Sequence, residues 1–491
     1  MENILTNIIF LPLLMAIVLG AMRASLKVLR AGAMLTSVTT LLLVGLLTYN
    51  FDPTLGMQFG VNATWIQNVG ITYNIGVDYL SLVLLLLISL LMPLLYIYMF
   101  SEDRKGYWYN MMFLQTGVTG AVLSLDLILF YLFWETMLLP IFIMIGKYGN
   151  GMKQYNSMKI LLMTVLGSMS MLFSILYIGY LYHETTGVWS FALENLATLE
   201  FEPETSIWLT AGFLLAFAIK IPLVGFHTWM APAYGSAPTP AVVIMSAIMA
   251  KLGVYGIWRF GYGLFEETLF FYEPIIITLA LIGLLYYAIV AITENNLRRM
   301  FAYSSGSHLS LIALGIFLGN IYAWGGSLYF IATHAIASAG MFMMIGLTYH
   351  RFGTVNIDEL GGIASKMPIF TFFFAFFALS IAGLPGTGGF VAELLIIIGA
   401  FKTSFWIGLF TATTMLSAMV YIFWMLQRTI FGESNNDIEV KDLNAKEVFM
   451  LTPLLLLLLL TGIMPSLFIP FFEPQLSLSL GDFLVSIGAS K

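Results

Sequence analysis

Cysteine is absent from the chain. The polypeptide can therefore form no disulfide, no thiolate-ligated zinc site and no cysteine-bound iron–sulfur cluster. Histidine is almost as scarce, with five residues scattered outside any metal-ligand spacing. Charge is sparse as well: 9% of the 491 residues are charged and 60% are hydrophobic, with a mean hydropathy of +0.93. That balance excludes a soluble globular core. With no basic patch and hardly any sequence left for a soluble domain, nucleic-acid binding is excluded as a function class. What remains is an all-α polytopic membrane protein.

Apolar stretches long enough to cross a bilayer number about fourteen, beginning near residues 4, 31, 77, 107, 126, 157, 206, 240, 269, 300, 324, 368, 405 and 447. The first follows a short leader that carries Glu2 in place of positive charge, and its run has membrane length, so it reads as helix one and not as a secretory signal. Lysine and arginine sort by loop. Fifteen of the 20, Arg23, Arg104, Arg298 and Arg351 among them, lie in or beside loops after odd-numbered spans. Arg259, Lys402 and Lys491 fall on the other side, and Lys220 and Lys251 lie inside spans. Because cytoplasmic loops retain the basic residues, both termini are expected on the non-cytoplasmic face. The net charge of −6 gathers largely in outward loops such as 194–204 and 266–273.

Two spans are interrupted alike. An offset of 160 aligns Phe217-Ala-Ile-Lys-Ile221 with Phe377-Ala-Leu-Ser-Ile381. The first then meets Pro222, which removes a helix donor, and the second meets Gly383-Leu-Pro-Gly-Thr-Gly-Gly389. Paired discontinuous helices are a mark of transporter repeats, which place a site near the bilayer midplane where unwound backbone lines a cavity. We expect two inverted five-helix repeats, at 107–262 and 263–431, each with one broken helix. Residues 1–106 supply helices one to three, and 432–491 supply helix fourteen and a tail. The 226–240 segment, rich in proline and small residues, does not suit a lipid-facing helix.

Charges inside spans are costly and mark function. Glu135 lies mid-span in Phe133-Trp-Glu-Thr-Met-Leu-Leu-Pro140 and calls for a partner, for which Lys220 is the candidate. Lys251 follows in the next span, and Glu393 stands just past the second break. Burial disfavours the charged form of either type, so such groups suit proton transfer. His334, within an apolar helix, and His227 and His308, near or within spans, are further relay candidates. Asp78 and Asp126 begin spans, where an acid suits a helix N-terminus, and read as caps. The 29 methionines suit adaptable packing in a crowded bundle and not a metal site.

Three segments together resemble the antiporter-like subunits of respiratory complex I: Phe133–Pro140, Lys220-Ile-Pro-Leu-Val-Gly-Phe-His-Thr-Trp229 and Ala302-Tyr-Ser-Ser-Gly-Ser-His308. The resemblance spans nearly the whole chain and is greatest to the M type, equivalent to mitochondrial subunit 4. Glu393 stands where the L and N types and antiporter relatives carry lysine, and the chain ends soon after span fourteen, without the long lateral helix of L. At Gly306 the chain departs from the family's usual Ile-Ser-His. The resemblance implies a fourteen-helix subunit that translocates protons when electron transfer elsewhere drives it, with no redox centre or cofactor of its own. The parent complex would carry FMN, iron–sulfur clusters and quinone. It also implies that Glu135 and Lys220 form an ion pair, that Lys251 and His334 form a central relay, and that Glu393 is the outlet. Implied partners are neighbouring L-type and N-type subunits, other complex I subunits and lipid, in a bacterial inner membrane. The alternative is a subunit of a multisubunit cation/proton antiporter or of a related membrane-bound hydrogenase-type complex.

Overall fold

A computed structural model describes residues 3–433, 440–470, 473, 476 and 477. Glu2 and the end of the tail, with Lys491, lie outside the described residues. The chain is an all-α polytopic membrane protein. Among the described residues, eleven helices are long and apolar enough to cross a bilayer, from Ile4–Ala21 to Ala445–Ile463. Three further expected spans correspond to Lys105–Leu123, to Pro203–Lys220, and to Pro368–Ile381 with Gly388–Thr403. The last two contain the expected breaks. The helix at Pro203–Lys220 stops at the lysine, and helix resumes only at Met230. The second broken helix stops at Ile381 and resumes at Gly388.

Carboxylates start helices as expected. Asp78 and Ser81 form a capping box, the Ser81 backbone N–H donating to Asp78 Oδ1 at 3.0 Å and the Asp78 N–H donating to Ser81 Oγ at 2.8 Å. Asp126 accepts from the N–H groups of Ile128 and Leu129 at 3.0 and 3.1 Å, meeting donors that a helix start leaves unpaired. One element was not expected. Gln58–Ile66 and Ile71–Val77 pair as an antiparallel hairpin, and Asp126 Oδ2 ties it down by accepting from the N–H and hydroxyl of Thr72 at 3.0 and 2.9 Å.

The chain forms two compact units. One holds the residues up to Lys220 together with Leu252–Pro274. There Lys153–Thr186 packs on Pro203–Lys220 through small residues, with Ser170 Oγ donating to the Gly212 carbonyl at 3.0 Å, the close approach that glycine and serine permit between membrane helices. The other holds Ile221–Lys251 and Ile275–Leu476, in which Ile321–Phe352 packs on Gly388–Thr403 and Leu297–Phe317.

Candidate functional site

Lys220 closes its helix with its side chain 2% exposed. A span of apolar residues delivers it there, and the chain then turns at Pro222, whose carbonyl accepts from Tyr287 Oη within the other unit's own residues. Among the described residues, Lys220 Nζ finds no acceptor within hydrogen-bonding distance. It sits 4.6 Å from the centroid of the Trp134 ring. Glu135, the next residue on the helix Leu127–Thr136, is half-buried. No ion pair within 4.0 Å joins the two. A desolvated cation–π contact is worth about 2 kcal/mol, against several kcal/mol for desolvating an ammonium, so this placement leaves the lysine in reach of a stronger partner.

Lys251 is fully buried and fully engaged. It lies in a helix, Thr239–Leu264, that is wound as π-helix over Met245–Met249 and again over Ile257–Gly261. Such turns leave carbonyls out of α-register, and the Ser246 carbonyl accepts from Lys251 Nζ. The same Nζ lies 2.8 Å from His334 Nδ1. The His334 ring is 5.2 Å from the His308 ring, centroid to centroid, and His308 Nε2 lies 3.6 Å from Glu393 Oε1. Exposure along this line is 0% at Lys251, 2% at His334, 0% at His308 and 1% at Glu393. Four ionisable groups thus follow one another through a buried interior. An imidazole takes a proton at one nitrogen and gives it up from the other, so the order base, imidazole, imidazole, acid suits proton hand-over.

Glu393 occupies the first turns after the second break. Among the described residues, neither of its oxygens meets a donor within hydrogen-bonding distance. A methyl group added at Gly383, where φ is +77°, would come 3.1 Å from Glu393 Oε2, so the break both needs glycine's backbone freedom and gives the carboxylate its room. His227 is half-buried on the segment after the first break, its Nε2 3.3 Å from Tyr286 Oη and its ring against Tyr287. Among the described residues, no group of three or more His, Asp or Glu is arranged to hold a metal.

Two buried contacts escaped the sequence reading. Trp134 reads as core in a run of aromatics, yet it is the side chain that meets Lys220. Arg259 pairs with the cap residue Asp78 at 2.6 Å and takes Tyr255 Oη as a second acceptor at 3.1 Å. Those partners lie 181 residues apart, and only the shared burial of an acid and a base that each need a partner signals them.

The family described as NADH:quinone oxidoreductase/Mrp antiporter, TM, matches residues 124–419, which is more than half of the chain and takes in every residue of the buried line. The chain belongs to this family. NADH-quinone oxidoreductase subunit M of Rhodobacter capsulatus is 31% identical over 99% of the chain and 98% of its own length. NADH-ubiquinone oxidoreductase chain 4 of Marchantia polymorpha is 32% identical over 96% of each. Both belong to the type that Glu393 indicated. Among solved structures, a chain of respiratory complex I from Thermus thermophilus superposes with a TM-score of 0.88 at 28% identity, covering 97% of this chain and 99% of that one. For an antiporter-type member of this family, the four-group line is the part whose chemistry matches ion transport, and multisubunit assembly is the setting in which its relatives occur.

Proposed function

We propose that the chain is the M-type proton-translocating subunit of the membrane arm of an NADH:quinone oxidoreductase. The observation that carries this reading is the succession of the buried groups Lys251, His334, His308 and Glu393, within a chain that aligns over 99% of its length with a subunit M protein. Glu135 and Lys220 form the input pair: when they separate, the proton affinity of Lys220 changes, and the buried line carries protons towards Glu393. Charge movement in a neighbouring subunit drives the separation. Removing one partner of a buried pair is worth about 3–5 kcal/mol, and one proton against 150 mV costs about 3.5 kcal/mol, so the two are commensurate.

In this reading residues 107–262 and 263–431 are the inverted five-helix repeats that supply one broken helix each. The subunit sits in a bacterial inner membrane with both termini on the non-cytoplasmic side, between L-type and N-type subunits and lipid. FMN, iron–sulfur clusters and quinone belong to the parent complex, which performs the electron transfer. The test is Lys220→Ala and Glu135→Ala in the assembled complex, reconstituted in vesicles, with proton uptake measured beside quinone reduction. Pumping is expected to collapse in both; unchanged pumping in both sinks the proposal. The family description also covers Mrp antiporters, which keeps a cation/proton antiporter subunit as the second reading. Copurification separates the two: peripheral flavin and iron–sulfur chains favour the first, and a set of small membrane subunits favours the second.

A further inference from the structure

Lys220 rests on an aromatic face with a carboxylate one residue away. Trp134 and Glu135 are consecutive on one short helix, and consecutive helical residues diverge by about 100°. The two side chains therefore leave the helix in different directions, and Lys220 Nζ lies at the first of them, 4.6 Å from the indole centroid. The indole is fixed in place. It is 1% exposed, its ring lies 5.4 Å from Phe130, and it is met by the Phe217 ring at 5.9 Å and an interplanar angle of 68°. Phe217 precedes Lys220 by three residues, a spacing that shares one helix face, so the helix carrying the lysine also braces the ring that the lysine covers. The negative face of an indole attracts an ammonium but has no lone pair with which to take its proton.

We propose that Trp134 is a positioning residue for Lys220, holding its ammonium whenever the lysine is apart from Glu135, so that Lys220 exchanges between an aromatic and a carboxylate station. The inference rests on the proton-translocating role proposed above. At the carboxylate station the proton of Lys220 has an acceptor beside it; at the aromatic station it has none. Parting from Glu135 thus removes the route for back-transfer while the charge stays screened from hydrocarbon.

The test uses the assembled complex in vesicles, with NADH-driven proton uptake recorded against pH. Trp134→Leu is expected to move the midpoint of the pumping profile by about one pH unit and to lower pumping about tenfold, while Trp134→Phe, which keeps a π face, stays within about threefold of the parent. Fluorinated tryptophans incorporated at position 134 supply the isosteric control, since each fluorine weakens the ring's negative face at nearly constant volume. A midpoint that moves progressively with fluorine number supports the proposal. A flat series overturns it, whether or not the Trp134→Leu complex assembles, because packing alone is insensitive to fluorination. If Lys220→Ala abolishes pumping while the fluorine series is flat, only this inference fails; if Lys220→Ala pumps normally, the functional reading beneath it fails.

Discussion

The two buried lysines solve the same problem in opposite ways. Lys251 places its ammonium against a carbonyl and an imidazole, so its charge is paid for by fixed hydrogen bonds. Lys220 meets the face of Trp134 and no hydrogen-bond acceptor from the protein. A group held by directed bonds in a close-packed interior has one position; a group held by a diffuse quadrupole has alternatives at small cost. The difference fits the roles proposed above: fixed hydrogen bonds suit a proton-conducting role for the Lys251 line, and a diffuse contact suits a change of partner at Lys220. Arg259, half-buried and bonded to Asp78 and Tyr255, belongs with Lys251 in this division, as another cation with fixed partners.

The comparison can be broken at the fixed cations. Asp78→Ala strands Arg259 without its counter-charge, and breaking a buried pair by removing one member costs about 3–5 kcal/mol. The expected result is a large loss of thermal stability of the assembled complex, read by calorimetry, and a transition at the parent temperature would contradict the fixed-cation account. Lys251→Met removes the amine that lies 2.8 Å from His334 Nδ1. A charge-assisted hydrogen bond is worth about 1.5–3 kcal/mol, so pumping measured in vesicles should fall by roughly 30-fold while quinone reduction by the uncoupled complex persists. A pumping rate within twofold of the parent would remove Lys251 from the conducting line.

Smaller changes sharpen the contrast. Gly383→Ala forces a side chain into φ +77° and to within 3.1 Å of Glu393 Oε2; about 1–2 kcal/mol of stability should be lost, with reduced pumping as Glu393 gives way. Stability lost without any effect on pumping would show that the exact place of Glu393 does not matter. Asp126→Ala removes the cap of the helix that carries Trp134 and Glu135 and its tie to Thr72. The expected cost is about 1 kcal/mol, seen as earlier proteolysis of the Gln58–Val77 hairpin; equal resistance to protease would separate the hairpin from that helix.

Much of this was legible in the sequence because hydropathy and breakers act locally. Every apolar run expected to cross the bilayer has its helix, and Pro222 and Gly383–Gly389 stand at the two breaks. Lys251, His334 and Glu393 were visible as charges or imidazoles in hydrocarbon, and His308 as one among several histidines; the structure adds that His308 links His334 to Glu393. The hairpin was passed over although Ile71, Tyr73, Ile75 and Val77 alternate with Thr72, Asn74 and Gly76, the period of a strand, because it lies in what composition marks as a loop between spans. The Asp78–Arg259 pair and the station at Trp134 depend on chain segments distant in sequence, which no local pattern encodes. The π-helical turns around Lys251 are equally silent: their residues differ in no evident way from those of an ordinary apolar helix.

Those turns have a consequence for how the chain tolerates changes in length. A π turn accommodates one residue more than the α-helical pitch allows, so Met245–Met249 is in effect a one-residue insertion preserved just ahead of Lys251. Excising a single residue there lets the helix relax to regular winding and rotates the flanking positions by about 100° relative to each other, turning the lysine away from His334 without altering any of the four side chains from Lys251 to Glu393.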